Sequence, residues 1–257
     1  MKRFWQIANI LSVVFALVWN FLTGAQVLDL PAIGEISDKY ATFLTPATYA
    51  FSIWSLVYIL MIVFAIYQAR DLFTPDKAND LPAKIGPFFI IANICNGLWT
   101  YIFVQEYIGL SVFILLALSA SLFALIVRLK IANFDAPRSV IAGVWWPILI
   151  YTGWVSVATV VNIASWYISV GGEITPIIAV LVLLGLLVAL LWLLKTRNVR
   201  ELLLASAWGI AAIGVNQLSD NSLVMATAFS VSAILLIAIS IHGYHNRKTN
   251  PFFKAKS

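Results

Sequence analysis

Eight stretches of the chain carry no Asp, Glu, Lys or Arg: 4–28, 40–69, 85–105, 107–127, 139–172, 174–194, 202–219 and 221–246. A helix needs roughly 20 apolar residues to cross the hydrocarbon core of a bilayer, and a run of about 18 already qualifies as a candidate. The pattern predicts eight transmembrane helices. Stretch 139–172 is too short for two spans with a turn, so it reads as one long helix to about Tyr167, kinked at Pro147, followed by a loop through Gly171 and Gly172. The segment 29–45, with Pro31, Gly34 and Ser37, reads as the longest loop on one side, and 70–84, with Pro75 and Pro82, as the longest on the other.

The charged residues fall into nine clusters between and beyond these stretches. The odd-numbered clusters hold 15 basic residues, from Lys2 and Arg3 through Arg70, Arg128, Lys195 and Arg200 to Lys254 and Lys256; the even-numbered ones hold only Lys39. Basic loops stay on the cytoplasmic side. The expectation is an all-α integral membrane protein, multi-pass in the cell membrane, with both termini cytoplasmic.

Composition agrees: 62% of residues are hydrophobic and 11% charged, against about 25% charged in soluble domains. The net charge of +5 is dispersed among loops, which argues for anionic lipid head groups as partners and against nucleic acid. The single cysteine, Cys95, lies inside the third span, so no internal disulfide forms. Met1-Lys2-Arg3 resembles the start of a signal peptide, but the apolar run behind it is longer than the ~7–15 residues of such a region, so a retained helix is expected.

Within the spans, aromatic and polar residues recur at helical spacing. Phe51, Trp54 and Tyr58 share one face of the second helix; Asn96, Trp99 and Phe103 share one on the third, with Asn93 a turn before; Tyr151, Trp154, Ala158, Asn162 and Trp166 form a stripe on the fifth. Trp54, Trp99 and Trp154 fall away from the interfacial belt where membrane tryptophans usually sit. Two accounts fit: helix–helix packing with asparagines bonding across helices, or an aromatic-lined pocket with a few placed polar groups. His242 and His245 read as residues of a helix end beside Arg247 and Lys248. Ala205, Ala207, Gly209 and Ala211 on the seventh helix read as a close-packing face.

These residues carry a resemblance. The segment 45–58, from Thr45-Pro46-Ala47 through Trp54 to Tyr58, resembles the helix-two signature of the tryptophan-rich sensory protein family, which includes the translocator protein. Asn96-Gly97-Leu98-Trp99 is similar to its Asn-x-x-Trp on helix three, and Tyr151-x-x-Trp154-x-x-x-Ala158-x-x-x-Asn162 to its helix-five motif, with Ile150 where the family has proline. The resemblance covers about residues 1–167 and ends where the aromatic content thins. It implies a five-helix translocator-protein-like unit over 1–168, followed by a three-helix membrane extension over 169–257 with a basic cytoplasmic tail.

The resemblance further implies a cavity for a porphyrin, haem or similar hydrophobic ligand, with Trp54, Tyr58, Asn96, Trp99, Tyr151, Trp154 and Ala158 on or near it, and a sensory or regulatory role. Phe51 and Asn162 join the candidate ligand-binding set from the same helical stripes, Asn96 and Asn162 serving either polar ligand atoms or the joining of helices. No cofactor is required by this reading, and a homodimer is compatible with it. Transport of a neutral or amphiphilic molecule stays open, as does light-dependent porphyrin degradation. The sequence offers no nucleophile–base pair, metal-ligand cluster or phosphate loop for conventional catalysis.

Overall fold

The structure, a computed structural model, describes residues 2–24, 28–73 and 80–247. Among these there is no strand. Eight long helices carry the fold: α1 (Lys2–Gly24), α2 (Thr48–Ala69), α3 (Phe88–Val104), α4 (Ile108–Arg128), α5 (Arg138–Ser169), α6 (Pro176–Arg197), α7 (Arg200–Asn216) and α8 (Ser222–His245). Six of them are long and apolar enough to cross a membrane; α3 is apolar but, at 17 residues, just under that length, and α7, also 17 residues, opens on Arg200 and Glu201. Asp76, Lys77, Pro75 and the tail from Lys248 lie outside the described residues.

The caps follow local chemistry. Thr175 accepts a hydrogen bond from the Ile178 N–H ahead of Pro176, and Asn221 accepts one from Val224 N–H, so α6 and α8 begin on side-chain caps. Glu106, at φ 63°, turns α3 into α4 within three residues. α5 contains one π-helical turn, Ile141–Trp145, in which the Trp146 N–H reaches back to Ile141 O. It immediately precedes Pro147, whose ring would strike a carbonyl one turn earlier in a regular helix; the wider turn relieves that conflict. What the structure shows ahead of Pro147 is this π turn, against which Tyr67 of α2 packs at Gly143, where a Cβ would strike the ring.

Both long loops contain helix that the turn-forming residues did not announce. Ile33–Lys39 is a short helix, and Gly34 within it lies against Thr48. Leu81–Ile85 is another, ended by Gly86 at φ 56°.

The packing order closes a ring: α1 contacts α3, α3 contacts α4, α4 contacts α5, α5 contacts α2, and α2 returns to α1. Outside the ring α7 lies along α5, α8 along α7, and α6 along α8. α5 is thus enclosed on two sides, with Tyr151 and Trp154 turned to the ring and Gly153 turned to α7. The outward faces carry exposed Phe4, Leu11, Leu181, Val188 and Trp192, a surface suited to hydrocarbon rather than water.

α1 supplies an inner stripe that the sequence reading did not single out. Gln6, Asn9, Val13, Ala16 and Thr23 are all buried, and Asn20 stands on the same face. The 3.6-residue period of these positions was legible, but masked by the apolar residues between them.

Candidate functional site: an aromatic chamber between α2, α3 and α5

Trp54 is the hub. Its ring stacks on Tyr58 at 5.6 Å between centroids and lies 6.1 Å from Trp99, 6.0 Å from Tyr151 and 6.2 Å from Trp154. Phe51 meets Trp154 edge-on at 6.1 Å, and Trp99 stacks on Phe103 at 5.4 Å. Each such pair contributes about 0.5–1.5 kcal/mol beyond the burial of its area. The three stripes expected from the sequence therefore converge. Trp54, Trp99, Tyr151 and Trp154 are buried, while Phe51, Tyr58 and Ala158 are partly so.

The asparagines divide in role. Asn162 is spent on joining helices: its Oδ1 accepts from Trp99 Nε1 at 2.8 Å, and its Nδ2 donates to Ser111 Oγ at 2.9 Å. Asn96 is half spent. Its Oδ1 accepts from Asn20 Nδ2 at 2.7 Å, and Asn20 Oδ1 in turn accepts from Thr100. Trp54 Nε1 and Trp154 Nε1 make no hydrogen bond, while Asn96 Nδ2 and the Tyr151 hydroxyl have only each other nearby. Two buried indole N–H groups thus sit within the aromatic cluster without an acceptor. An unmet buried donor costs about 1–3 kcal/mol.

A cavity of about 30 Å³ opens at one end of the cluster, and Phe51, Trp99, Trp154, Ala158 and Asn162 line it. Trp54, Tyr58, Tyr151 and Asn96 do not; they form the packed floor beyond it. Its cover is the short helix Ile33–Lys39, which contributes Ile33 and Ser37. Sequence reasoning missed this cover, because Pro31, Gly34 and Ser37 all speak for turns. The helix is clasped to the α3–α4 hairpin: Lys39 pairs with Glu106, and the Tyr40 hydroxyl donates to Glu106 Oε2 at 2.8 Å. Hydrogen bonds from Lys39 and Tyr40 hold the Glu106 carboxyl below the usual glutamate range, and the same contact with Glu106 raises both partners.

The expected close-packing face of α7 is present in part. Ala205, Ala207 and Gly209 are buried, and Ser206 Oγ donates to Gly153 O at 3.0 Å, while Ala211 is half-buried and lines, with Ala205 and Ala207, an open cavity of about 530 Å³ between α2, α5, α7 and α8. α7 also fixes the start of α2: the Ala47 N–H donates to Ala212 O, Trp208 Nε1 to Ala50 O, and Asn216 Nδ2 to Thr45 O. At the far end of α8, His245 Nδ1 lies 2.9 Å from Ile241 O, within its own helix end.

Ring closure by five helices, an aromatic hub at its centre and a lipid-suited exterior define a polytopic helical membrane protein with an intramembrane aromatic chamber. The sequence profile of the TSPO-like protein family matches residues 6–241, and the chain belongs to that family. The match runs past residue 168 and through the three later helices. No curated protein and no solved structure matches the chain.

Proposed function

We propose that this chain is a sensory or regulatory membrane protein that binds a flat hydrophobic molecule of the tetrapyrrole class in the aromatic chamber. The observation that carries the reading is the pair of unmet indole donors, Trp54 Nε1 and Trp154 Nε1, set among packed rings beside the loosely paired Asn96 amide and Tyr151 hydroxyl. A macrocycle offers a π face to the indoles, and its acceptor atoms, such as carboxylate oxygens, would complete those donors. A cavity of about 30 Å³ is far below the ~300–1,000 Å³ of ordinary ligand pockets. Binding on this reading requires the Ile33–Lys39 helix to lift and the rings beneath it to part.

The same proposal holds that the chain crosses the cell membrane eight times with both termini in the cytoplasm and the short cover helix outside. α3 and α7 are then spans that end close to the interface. Cysteine probes at Glu173 should label from outside and at Asn198 from inside; the opposite result reverses the orientation.

The test of binding is quenching of protein fluorescence by a porphyrin, together with mass spectrometry of protein purified in mild detergent. Saturable quenching that is weakened in Trp154→Phe supports the proposal. Absence of both quenching and any co-purified macrocycle overturns it.

A further inference from the structure

At the end of the bundle that carries Lys2, α1, α2 and α3 enclose a second polar cluster, separate from the aromatic chamber. Gln6 and Asn9 of α1, Gln68 of α2 and Asn93 of α3 are all fully buried. Three of the four amides have their nitrogen committed. Gln6 Nε2 donates to Gln68 O at 3.1 Å and Asp71 Oδ1 at 2.8 Å. Gln68 Nε2 donates to Gln6 O at 3.0 Å and Ala65 O at 3.2 Å. Asn93 Nδ2 donates to Ser12 Oγ at 2.9 Å.

These bonds fix which way each amide is turned, and they leave the oxygens over. Gln6 Oε1, Gln68 Oε1 and Asn93 Oδ1 have no partner, and Asn9 has none on either atom. Asn9 stands one turn above Gln6, and Ser12, which holds Asn93, stands one turn above Asn9, so the four amides fall within two turns of α1.

The surplus has a sign. Four side-chain oxygens against one nitrogen call for a ligand that is positive or donates. Gln68 lies in the last turn of α2, where the helix dipole is negative. The Asp71 carboxylate, itself paired with Lys2, adjoins Gln6. Hard cations prefer oxygen ligands, and carbonyl-type oxygens without net charge suffice for an alkali ion, as in channel filters. We infer that Gln6, Asn9, Gln68 and Asn93 form a site for a small alkali-metal cation between α1, α2 and α3. An ion there ties three helices of the ring together, one turn along α3 from Asn96.

The experiment is thermal unfolding of the full chain in mild detergent, with sodium or potassium chloride replaced by N-methylglucamine chloride at constant ionic strength. An ion bound by the folded state alone raises the melting temperature with its concentration. At least one alkali ion should give a saturable rise, and Asn9→Leu should cancel it. Asn9→Asp, nearly the same shape with a negative charge added, should enlarge the rise and keeps the test decisive if the leucine variant does not fold. Porphyrin quenching by wild type in N-methylglucamine reports on the aromatic chamber separately. Equal melting temperatures in all three salts, or an ion-dependent rise that Asn9→Leu and Asn9→Asp leave unchanged, would overturn the site and assign the cluster to internal hydrogen bonding with water.

Discussion

Gly153 of α5 and Leu202 of α7 touch through their backbones: a Cβ on Gly153 would lie 2.1 Å from the Leu202 carbonyl oxygen. Ala205 and the Ser206 hydroxyl close the same contact. Backbone cannot move aside as a flexible side chain does. Gly153→Ala should therefore cost at least the roughly 1–3 kcal/mol typical of an overpacked core, read as a lower melting temperature. Because Trp154 follows directly, the displaced helix should also shift the tryptophan emission. An unchanged melting temperature would mean that α5 and α7 are not held this closely.

Ala158 gives the complementary prediction on the other face of the helix. It lines the small cavity beside Trp154 and Phe51. Ala158→Phe adds about six heavy atoms, more than the cavity holds, so it should both strain the packing by roughly 1–3 kcal/mol and abolish porphyrin quenching. Trp154→Phe should weaken quenching with a smaller loss of stability, since Trp154 Nε1 has no partner to lose. Quenching by Ala158→Phe equal to wild type would remove the cavity from the binding site.

The clasp over the chamber should respond to acid. The Glu106 carboxyl is held low by Lys39 and then Tyr40, so what it contributes is present above the ordinary glutamate range and is lost as pH falls through its own lower value. Amide protection factors in the Ile33–Lys39 helix, which remove the intrinsic pH dependence of exchange, should fall only below the ordinary glutamate range. Glu106→Gln should remove that pH dependence and show faster exchange at neutral pH. The group is exposed, so the effect should also shrink in high salt. Protection factors that are flat in pH in the wild type would mean that the clasp does not hold the cover.

Removal of residues after 168 should leave helices that still insert but hold the chamber loosely. The truncated chain loses the acceptor of the Ala47 N–H, the indole on Ala50 O and the amide on Thr45 O, all at the start of α2 just before Phe51. It also exposes Gly153 and Val157, which α7 covers. Expected are a lower melting temperature than the full chain and weaker porphyrin quenching. Quenching and stability equal to the full chain would make α7 irrelevant to the site.

Much of this was legible in the sequence. Charge-free stretches marked the helices, because hydrocarbon tolerates few ionised groups, and the helical period put Trp54, Trp99 and Trp154 on faces that do meet. Gly143 and Gly153 were not legible as contact points, since a glycine in a span says nothing of what approaches it. The cover helix was hidden for a related reason: Pro31 and Gly34 favour turns locally, and only the contact with Thr48 and the pairing of Lys39 with Glu106 make a helix of that segment.

The sequence by itself determined that the chain is helical, lipid-embedded and rich in intramembrane tryptophan, because hydropathy and period act along one helix at a time. Which asparagine is spent and which donor is left over was decided by tertiary structure alone. Asn96 and Asn162 look alike in the chain. Ser111 and Trp99 consume both ends of Asn162, while Asn20 takes only the oxygen of Asn96. The same holds for Gln6, Asn9, Gln68 and Asn93, which are ordinary polar residues until α1, α2 and α3 close around them and leave their oxygens without partners. Hydrogen-bond satisfaction depends on neighbours distant in the chain, and a buried polar group acquires its cost or its ligand only once those neighbours are in place.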